Sequence, residues 1–121
     1  MASGEASSVM TPRIAMVAMS ADLTLPEGIR VATTCGHSRI PVFKGTQDNI
    51  VGILYVKDFL RHFGAPGWES LRIEDVVRKA YFVPENKKIS ALFQEFKTQR
   101  FHIAIVLDEY GGTAGLITIE D

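Results

Sequence analysis

The side chains that could do chemistry are few, and Thr118 and Asp121 stand out at the end of the chain. A hydroxyl followed three residues later by a carboxylate is the spacing of a capping box, in which both side chains bond backbone N–H groups at a helix start. The pair therefore predicts that a helix begins here. Because the sequence ends at Asp121, we interpret it as part of a longer protein whose last helix is truncated.

Catalysis has little support in the sequence. His37, Ser38 and Arg39 are adjacent, but a catalytic triad needs a base and an orienting carboxylate arranged around the nucleophile, and no such carboxylate is identifiable. Cys35 is the single cysteine, which excludes an internal disulfide and fits a reducing compartment. Ligand spacing typical of structural zinc is absent from the sequence. We expect no catalytic residue, no metal site and no enzyme.

Composition describes an ordinary globular protein. The 121 residues are 46% hydrophobic and 22% charged, with a formal net charge of −1. That charge gives no reason to expect nucleic acid as a partner. No apolar run approaches the roughly 20 residues needed to span a bilayer, and no signal peptide is visible.

An internal duplication organises the chain. Residues 38–43 match residues 101–106, and residues 51–58 match residues 114–121, both at a spacing of 63 positions (101 minus 38, and 114 minus 51). Each copy reads as two apolar strands joined by a turn and followed by a helix start. Two tandem copies that pack on each other explain this pattern better than a longer array does.

The remaining elements follow from local signals. Thr24, Pro26 and Glu27 predict a capped helix that runs to about Thr34 and stops at Gly36. Each half then becomes β-α-β-β-α, which indicates an α+β fold. The other predicted elements are strands over 14–19, 39–43, 49–55, 80–83, 103–107 and 113–119, helices over 56–63 and 87–99, and a helical turn over 73–78.

Four stretches together resemble a known family. Residues 9–13 (VMTPR), 36–42 (GHSRIPV), 51–58 (VGILYVKD) and 108–116 (DEYGGTAGL) are similar to the tandem CBS-domain pairs of the HlyC/CorC/TlyC group. These are the hemolysin-like and magnesium and cobalt efflux proteins. The resemblance extends over about residues 9–121.

The resemblance implies a domain organisation and a location. It divides residues 9–121 into a first CBS domain over 9–63, a linker over 64–72 and a second CBS domain over 73–121, and the duplication relates the two domains by pseudo-two-fold symmetry. Residues 1–8 are small and polar, which predicts a disordered tail or cloning remnant. It implies a regulatory domain at the cytoplasmic face of the membrane, attached to a membrane domain that transports ions. CBS pairs of this kind commonly form homodimers through their helices.

The resemblance also implies an adenosine nucleotide, AMP or ATP with or without Mg²⁺, as a regulatory ligand. Asp121 would accept hydrogen bonds from the ribose, and Thr118 would donate to a phosphate. A helix N-terminus suits that phosphate because it offers unpaired N–H groups and a positive dipole end. The other expected nucleotide-binding residues are His102, Ile103, Tyr81, Phe82 and Val83.

Structural explanations of the same residues remain open. Thr118 and Asp121 form the pattern of an ordinary capping box, so capping a helix is an alternative to ligand binding. His102 begins a buried strand, where a lone histidine is more often structural than a ligand contact. Tyr81 and Phe82 suit a core or an interface better than base stacking. The alternative function is therefore a ligand-free dimerisation module of the same membrane protein.

The first half departs from the pattern at one position. Tyr55 stands where the second half has Thr118, and its ring would occupy the space of a phosphate, whereas Asp58 matches Asp121. A possible second site would use Asp58, Tyr55, Arg39 and Lys57. We expect at most one strong site per chain, built by the second half.

Overall fold

The chain folds into two compact units that do not follow the chain order. The computed structural model describes residues 4–119. One unit is Val17–Lys79, and the other combines Met1–Met16 with Ala80–Asp121. The N-terminal segment therefore belongs with the second half of the chain, and residues 64–79 belong with the first. Ile73, which is fully buried in the core of the Val17–Lys79 unit, accounts for part of this exchange.

The Val17–Lys79 unit is a three-stranded sheet with one long helix. Its elements are β2 (Met19–Ser20), α1 (Leu25–Cys35), β3 (Arg39–Lys44), β4 (Thr46–Tyr55), a 3-10 turn (Val56–Asp58) and α2 (Phe59–His62). Strand β2 pairs parallel with β3, and β3 pairs antiparallel with β4. The core combines Leu25 and Ala32 of α1 with strand residues such as Ile40 and Leu54.

Helix α1 forms where its caps predict it. The Thr24 hydroxyl accepts from the Glu27 N–H at 3.3 Å, and the Glu27 carboxylate accepts from the Thr24 N–H at 2.9 Å. The helix ends at Gly36, whose φ of 73° is in the left-handed region that glycine adopts without strain. The predicted capped helix is therefore confirmed.

The other unit is a four-stranded sheet with one long helix. Its elements are β1 (Thr11–Pro12), β5 (Phe82–Pro84), α3 (Ile89–Gln99), β6 (Ile103–Leu107) and β7 (Thr113–Thr118). The strand order is β1-β7-β6-β5, in which β5 and β6 are parallel and β6 and β7 form the predicted hairpin. Leu92 and Phe96 of α3 are buried against the sheet, in one cluster with Val83, Val106 and Ile117.

The same close approach occurs in both units. In one, Ile53 and Arg78 exchange backbone hydrogen bonds of 2.9 and 2.8 Å beside Gly52. In the other, Thr11 of β1 is the partner of Leu116, beside Gly115. Since Ile53 and Leu116 are equivalent in the duplication, Arg78 and Thr11 occupy corresponding places.

The predicted disordered tail over 1–8 is wrong for residues 4–8. Ala6 is fully buried, and its N–H donates to the Lys87 carbonyl at 2.8 Å. The Gly4 carbonyl accepts from the Ile89 N–H at 2.9 Å. Small side chains here allow the backbone to pack and pair closely, so low hydrophobicity does not mean disorder. Residues 1–3 lie outside the described residues.

Two further element predictions need correction. The strand expected over 14–19 is reduced to Met19–Ser20, because Arg13–Ala15 forms a 3-10 turn with Ile14 96% exposed. The helix expected over 56–63 is a 3-10 turn followed by the single α-helical turn Phe59–His62.

Candidate functional site

Four of the predicted nucleotide-binding residues meet at one end of the four-stranded sheet. Ile103 and Thr118 are direct partners across β6 and β7. The carbonyl of His102 accepts from the Ile119 N–H at 3.0 Å, and the carbonyl of Tyr81 accepts from the Ile105 N–H at 2.8 Å. The structure therefore brings Tyr81, His102, Ile103 and Thr118 to neighbouring positions on three adjacent strands.

These positions differ in what they can offer a ligand. Thr118 is exposed at the end of β7, so its hydroxyl is accessible. Ile103 is only 2% exposed and His102 is half-buried. The predicted capping box of Thr118 with Asp121, and the ribose contact of Asp121, lie outside the described residues.

Tyr81 is engaged within its own unit. Its ring stacks on Phe101 with the centroids 3.9 Å apart. Its hydroxyl donates a hydrogen bond to the Glu95 carboxylate, which also accepts a hydrogen bond from the Lys87 ammonium group. The bond to Glu95, together with burial, raises the pKa of Tyr81 to about 12. Tyr81 therefore packs and forms hydrogen bonds between the sheet and α3 of its own unit.

Phe82 and Val83 face opposite sides of β5. Val83 is 2% exposed and belongs to the core cluster under α3. Phe82 is 42% exposed, because successive side chains of a strand point to opposite faces. Of the three apolar residues predicted to flank an adenine, Phe82 is therefore the one whose side chain is available.

In the other unit, Asp58 forms an ion pair with Arg78, which the sequence did not reveal. Its two carboxylate oxygens accept from Arg78 Nε at 2.9 Å and from Arg78 Nη2 at 2.8 Å. The Asp58 side chain is 8% exposed and that of Arg78 is 40% exposed. The hydrogen bonds from Arg78 hold the pKa of Asp58 below its usual range, against the opposing effect of burial.

Tyr55 lies beside two guanidinium groups. The Arg78 guanidinium carbon is 4.2 Å from the ring centroid, and that of Arg39 is 5.5 Å away. Both distances suit cation–π attraction. Tyr55 therefore does more than replace a threonine, because it helps to hold Arg78 against Asp58.

A cleft of about 640 Å³ opens beside this cluster. Arg39 and Lys57 contribute to it, and Arg39 Nε is buried with no hydrogen-bond partner within residues 4–119. The structure thus brings the predicted residues Arg39, Tyr55 and Lys57 to one cleft and turns Asp58 toward Arg78. The cleft is lined by Ala32, Thr33, Gly36, His37, Ser38, Arg39, Tyr55, Val56 and Lys57.

Arg78 is the residue that sequence reasoning missed. The signal available was the match between residues 76–77 and residues 9–10, which places Arg78 opposite β4 just as Thr11 lies opposite β7. An arginine in that place, beside the hairpin that leads to Asp58, could have suggested the ion pair.

Neither metal ligation nor a membrane-spanning helix is found in the described part of the chain. Residues 4–119 contain no group of three or more His, Cys, Asp or Glu side chains that could hold a metal ion. Asp108 instead organises its own turn, accepting from the N–H groups of Tyr110 and Gly112 at 2.9 Å each. None of the helices within this range has the length and apolar content that crossing a bilayer requires.

Comparison with known proteins agrees with this architecture. The CBS-domain family model matches residues 6–65 and 73–121. The magnesium and cobalt efflux protein CorC of Escherichia coli (strain K12) is 42% identical over 113 residues, which cover 93% of this chain and 38% of that relative. The chain therefore spans less than half the length of this curated relative.

Two solved structures extend the comparison. The CBS domain of a bacterial CNNM/CorC-family Mg²⁺ transporter in complex with ATP is 36% identical, with a TM-score of 0.92, covering 97% of this chain and 82% of that one. A hemolysin-like CBS-domain protein of Oenococcus oeni PSU is 33% identical, with a TM-score of 0.88, covering 97% and 85%. By sequence and by fold, the chain belongs to the CBS-domain family, as a CBS-domain pair homologous to those of the CorC/CNNM proteins.

Proposed function

We propose that this CBS pair is a non-catalytic regulatory module that binds one adenosine nucleotide, AMP or ATP, and controls an attached membrane transporter of magnesium or cobalt. The observation that carries the proposal is the likeness to a CNNM/CorC-family CBS domain solved with ATP, which is 36% identical over nearly the whole of this chain. In this proposal the module lies at the cytoplasmic face of the membrane.

The site that we propose is the end of the sheet where β6 and β7 meet. Thr118 supplies an accessible hydroxyl, and the backbone of Ile103 and His102 lies directly beside it. Phe82 offers an exposed ring on the neighbouring strand. We assign the ribose to Asp121 by the family resemblance, and a phosphate to Thr118. Tyr81 and Val83 contribute by supporting the sheet rather than by touching the ligand.

Binding would act through the geometry of the CBS pair. A ligand that prefers one arrangement of the two CBS domains, or of two partner chains, shifts the population toward that arrangement. An attached membrane domain would then sense the nucleotide level. Exposed apolar side chains, including Leu60 at 82%, Phe63 at 64% and Phe93 at 48%, support self-association as a homodimer.

Calorimetric titration with AMP, ADP and ATP, with and without Mg²⁺, tests the proposal. We expect saturable binding, and a loss of at least about 100-fold in affinity for Asp121→Ala, because two hydrogen bonds to a charged group contribute roughly 1.5–3 kcal/mol each. Glu69→Ala, which removes an exposed carboxylate in the other unit, is the matched control and should bind as the wild type does.

The competing explanation is a ligand-free dimerisation module. It predicts that Asp121→Ala lowers the melting temperature, because a helix cap is lost, while millimolar nucleotide has no effect on either protein. Absence of saturable binding by the wild-type chain would contradict the nucleotide proposal and favour this alternative.

A further inference from the structure

Each hairpin is followed by an aspartate at the same place in the duplication. One of these aspartates, Asp58, is already bound by an arginine side chain. Asp58 stands 63 positions before Asp121 and ends the same motif. Both of its carboxylate oxygens are bound by the Arg78 guanidinium, at 2.8 and 2.9 Å. A ribose presents two hydroxyl donors to a carboxylate, so the guanidinium fork satisfies the same two acceptors that a ribose would use.

Arg78 is held in this position by its backbone and by the ring of Tyr55. Its N–H and carbonyl both bond to Ile53, at 2.8 and 2.9 Å, which fixes its backbone against β4. Its guanidinium lies 4.2 Å from the centre of the Tyr55 ring. The bonds between the guanidinium and the carboxylate carry charge on both partners, whereas the bonds of a neutral diol to the same carboxylate carry charge on one partner only. A diol would therefore have to break a stronger interaction than it can form.

The lining of the cleft beside this pair is consistent with the pairing of Asp58 to Arg78. Tyr55 and Lys57 line it, but Asp58 is absent from the described residues around it, because its side chain is 8% exposed and turned to Arg78. A ligand that enters the cleft therefore meets cationic and aromatic groups without meeting a free carboxylate for its ribose.

The second hairpin has no charged residue at the corresponding place. Thr11 lies opposite Leu116 as Arg78 lies opposite Ile53. A threonine carries no charge and is too short to form a bidentate pair with a carboxylate. At this place the two halves therefore differ in whether a guanidinium is present.

We propose that Arg78 is a built-in occupant of the ribose position of the first hairpin, and that it restricts the chain to one nucleotide, bound at the second hairpin. This inference rests on the proposed function, because it specifies which of two duplicated sites takes the ligand. It makes Arg78 the residue that determines the stoichiometry of binding.

The stoichiometry of AMP binding and the response to Asp58→Asn test the closure in the native chain. We expect one AMP per chain, and an affinity for Asp58→Asn within about twofold of the wild type. Two equivalents of AMP per chain, or a tenfold loss of affinity in a folded Asp58→Asn variant, would overturn the proposal.

A gain of binding tests the first hairpin independently of the second. In an Asp121→Ala background, Tyr55→Thr with Arg78→Thr gives the first hairpin the two threonines that the second hairpin has. We expect saturable AMP binding to appear, and to disappear when Asp58→Ala is added. Lys44→Thr in the same background removes a cation of the same unit far from Asp58, and should give no binding.

The outcomes separate this inference from the proposed function. If the wild type binds no AMP, the proposed function fails, whereas the gain variants still report on Arg78. No gain of binding in a folded Tyr55→Thr/Arg78→Thr variant would overturn the Arg78 proposal. If that variant does not fold, Arg78→Gln replaces Arg78→Thr, since glutamine carries no charge and cannot form an ion pair with Asp58. Absence of any gain there would also overturn the proposal.

Discussion

The two hairpins begin from the same sequence pattern and end with opposite chemistry. In β6 and β7, Thr118 is exposed beside the backbone of Ile103. In β3 and β4, Tyr55 stands at the equivalent place and holds Arg78 against Asp58. At the end of the first hairpin Asp58 is thus paired with Arg78, whereas at the end of the second hairpin Thr118 is exposed.

The difference shows how two copies of one motif can be given different neighbours. The aspartate is retained in both copies, and a segment outside the hairpin packs beside the glycine of each. That segment brings Arg78 to the first copy, where it pairs with Asp58, and Thr11 to the second copy. The surroundings of each copy therefore depend on the segment that packs beside its glycine as much as on the motif itself.

The largest expected effect concerns those glycines. A Cβ added at Gly115 would lie 2.2 Å from the Thr11 carbonyl oxygen, which is backbone. At Gly52 the nearest atom is a methyl group of Val77 at 2.6 Å, and the Arg78 carbonyl oxygen is at 2.9 Å. We expect Gly115→Ala to cost about 3 kcal/mol and Gly52→Ala about half of that, by denaturant unfolding. Equal costs would contradict the tighter packing inferred at Gly115.

The second effect concerns the ion pair of the first hairpin. Arg78→Ala leaves the Asp58 carboxylate buried without its partner, whereas Asp58→Ala leaves a guanidinium whose side chain is 40% exposed. We expect Arg78→Ala to cost about 2–3 kcal/mol, below the 3–5 kcal/mol of a fully buried pair, and Asp58→Ala to cost less.

Chemical denaturation of both variants and of the double variant measures this asymmetry. A double-mutant cycle isolates the coupling between the two side chains. The exposed pair of Lys44 with Glu74, at 3.1 Å, is the control and should show a smaller coupling. A larger loss of stability in Asp58→Ala than in Arg78→Ala would contradict the prediction that the unpaired carboxylate is the more costly group.

The third effect compares the helix starts of the two units. Thr24 closes a capping box on α1, whereas Lys88 at the start of α3 makes no side-chain cap. We expect Thr24→Ala to lower the free energy of unfolding by about 1 kcal/mol, and Lys88→Ala to leave it nearly unchanged. Thermal unfolding of the two variants checks this, and a comparable loss in both would show that the cap contributes little.

The smallest effect is a difference in titration between tyrosines. Because the pKa of Tyr81 is raised to about 12 by its bond to Glu95, the stability that this bond provides is fully present below pH 10 and is lost as the pH rises through 12. Ultraviolet titration should show one late-titrating tyrosine in the wild type. That component should vanish in Tyr81→Phe and move to lower pH in Glu95→Gln; an unchanged titration in Glu95→Gln would exclude the bond as its cause.

Local signals in the sequence predicted much of the fold. Helix α1 could be predicted because its signals are local. Its capping box joins Thr24 to Glu27, three residues apart, and it ends at Gly36. The duplication likewise located both hairpins, and therefore brought Ile103 beside Thr118 and Tyr55 near Asp58. Position in the chain was enough wherever a residue and its partners belonged to one hairpin or one helix.

Features that depend on long-range register were not predictable. The pair of Arg78 with Asp58 joins residues 20 positions apart and exists only because Arg78 pairs with Ile53 across β4. Ala6 is buried because the N-terminal segment packs on α3 and its neighbours, although its composition resembles a disordered tail. Which of Phe82 and Val83 faces the core depends on the register of β5 with β6, and two adjacent apolar residues do not specify that register.

The most direct test of the central claim is amide chemical-shift mapping by NMR during titration with AMP. The account predicts that Ile103, Thr118 and Ile119 shift and saturate together, while Val56, Lys57 and Arg78 stay in place. Shifts at Val56 and Lys57 of equal size would contradict the closure of the first hairpin. A spectrum unchanged at millimolar AMP would contradict nucleotide binding itself.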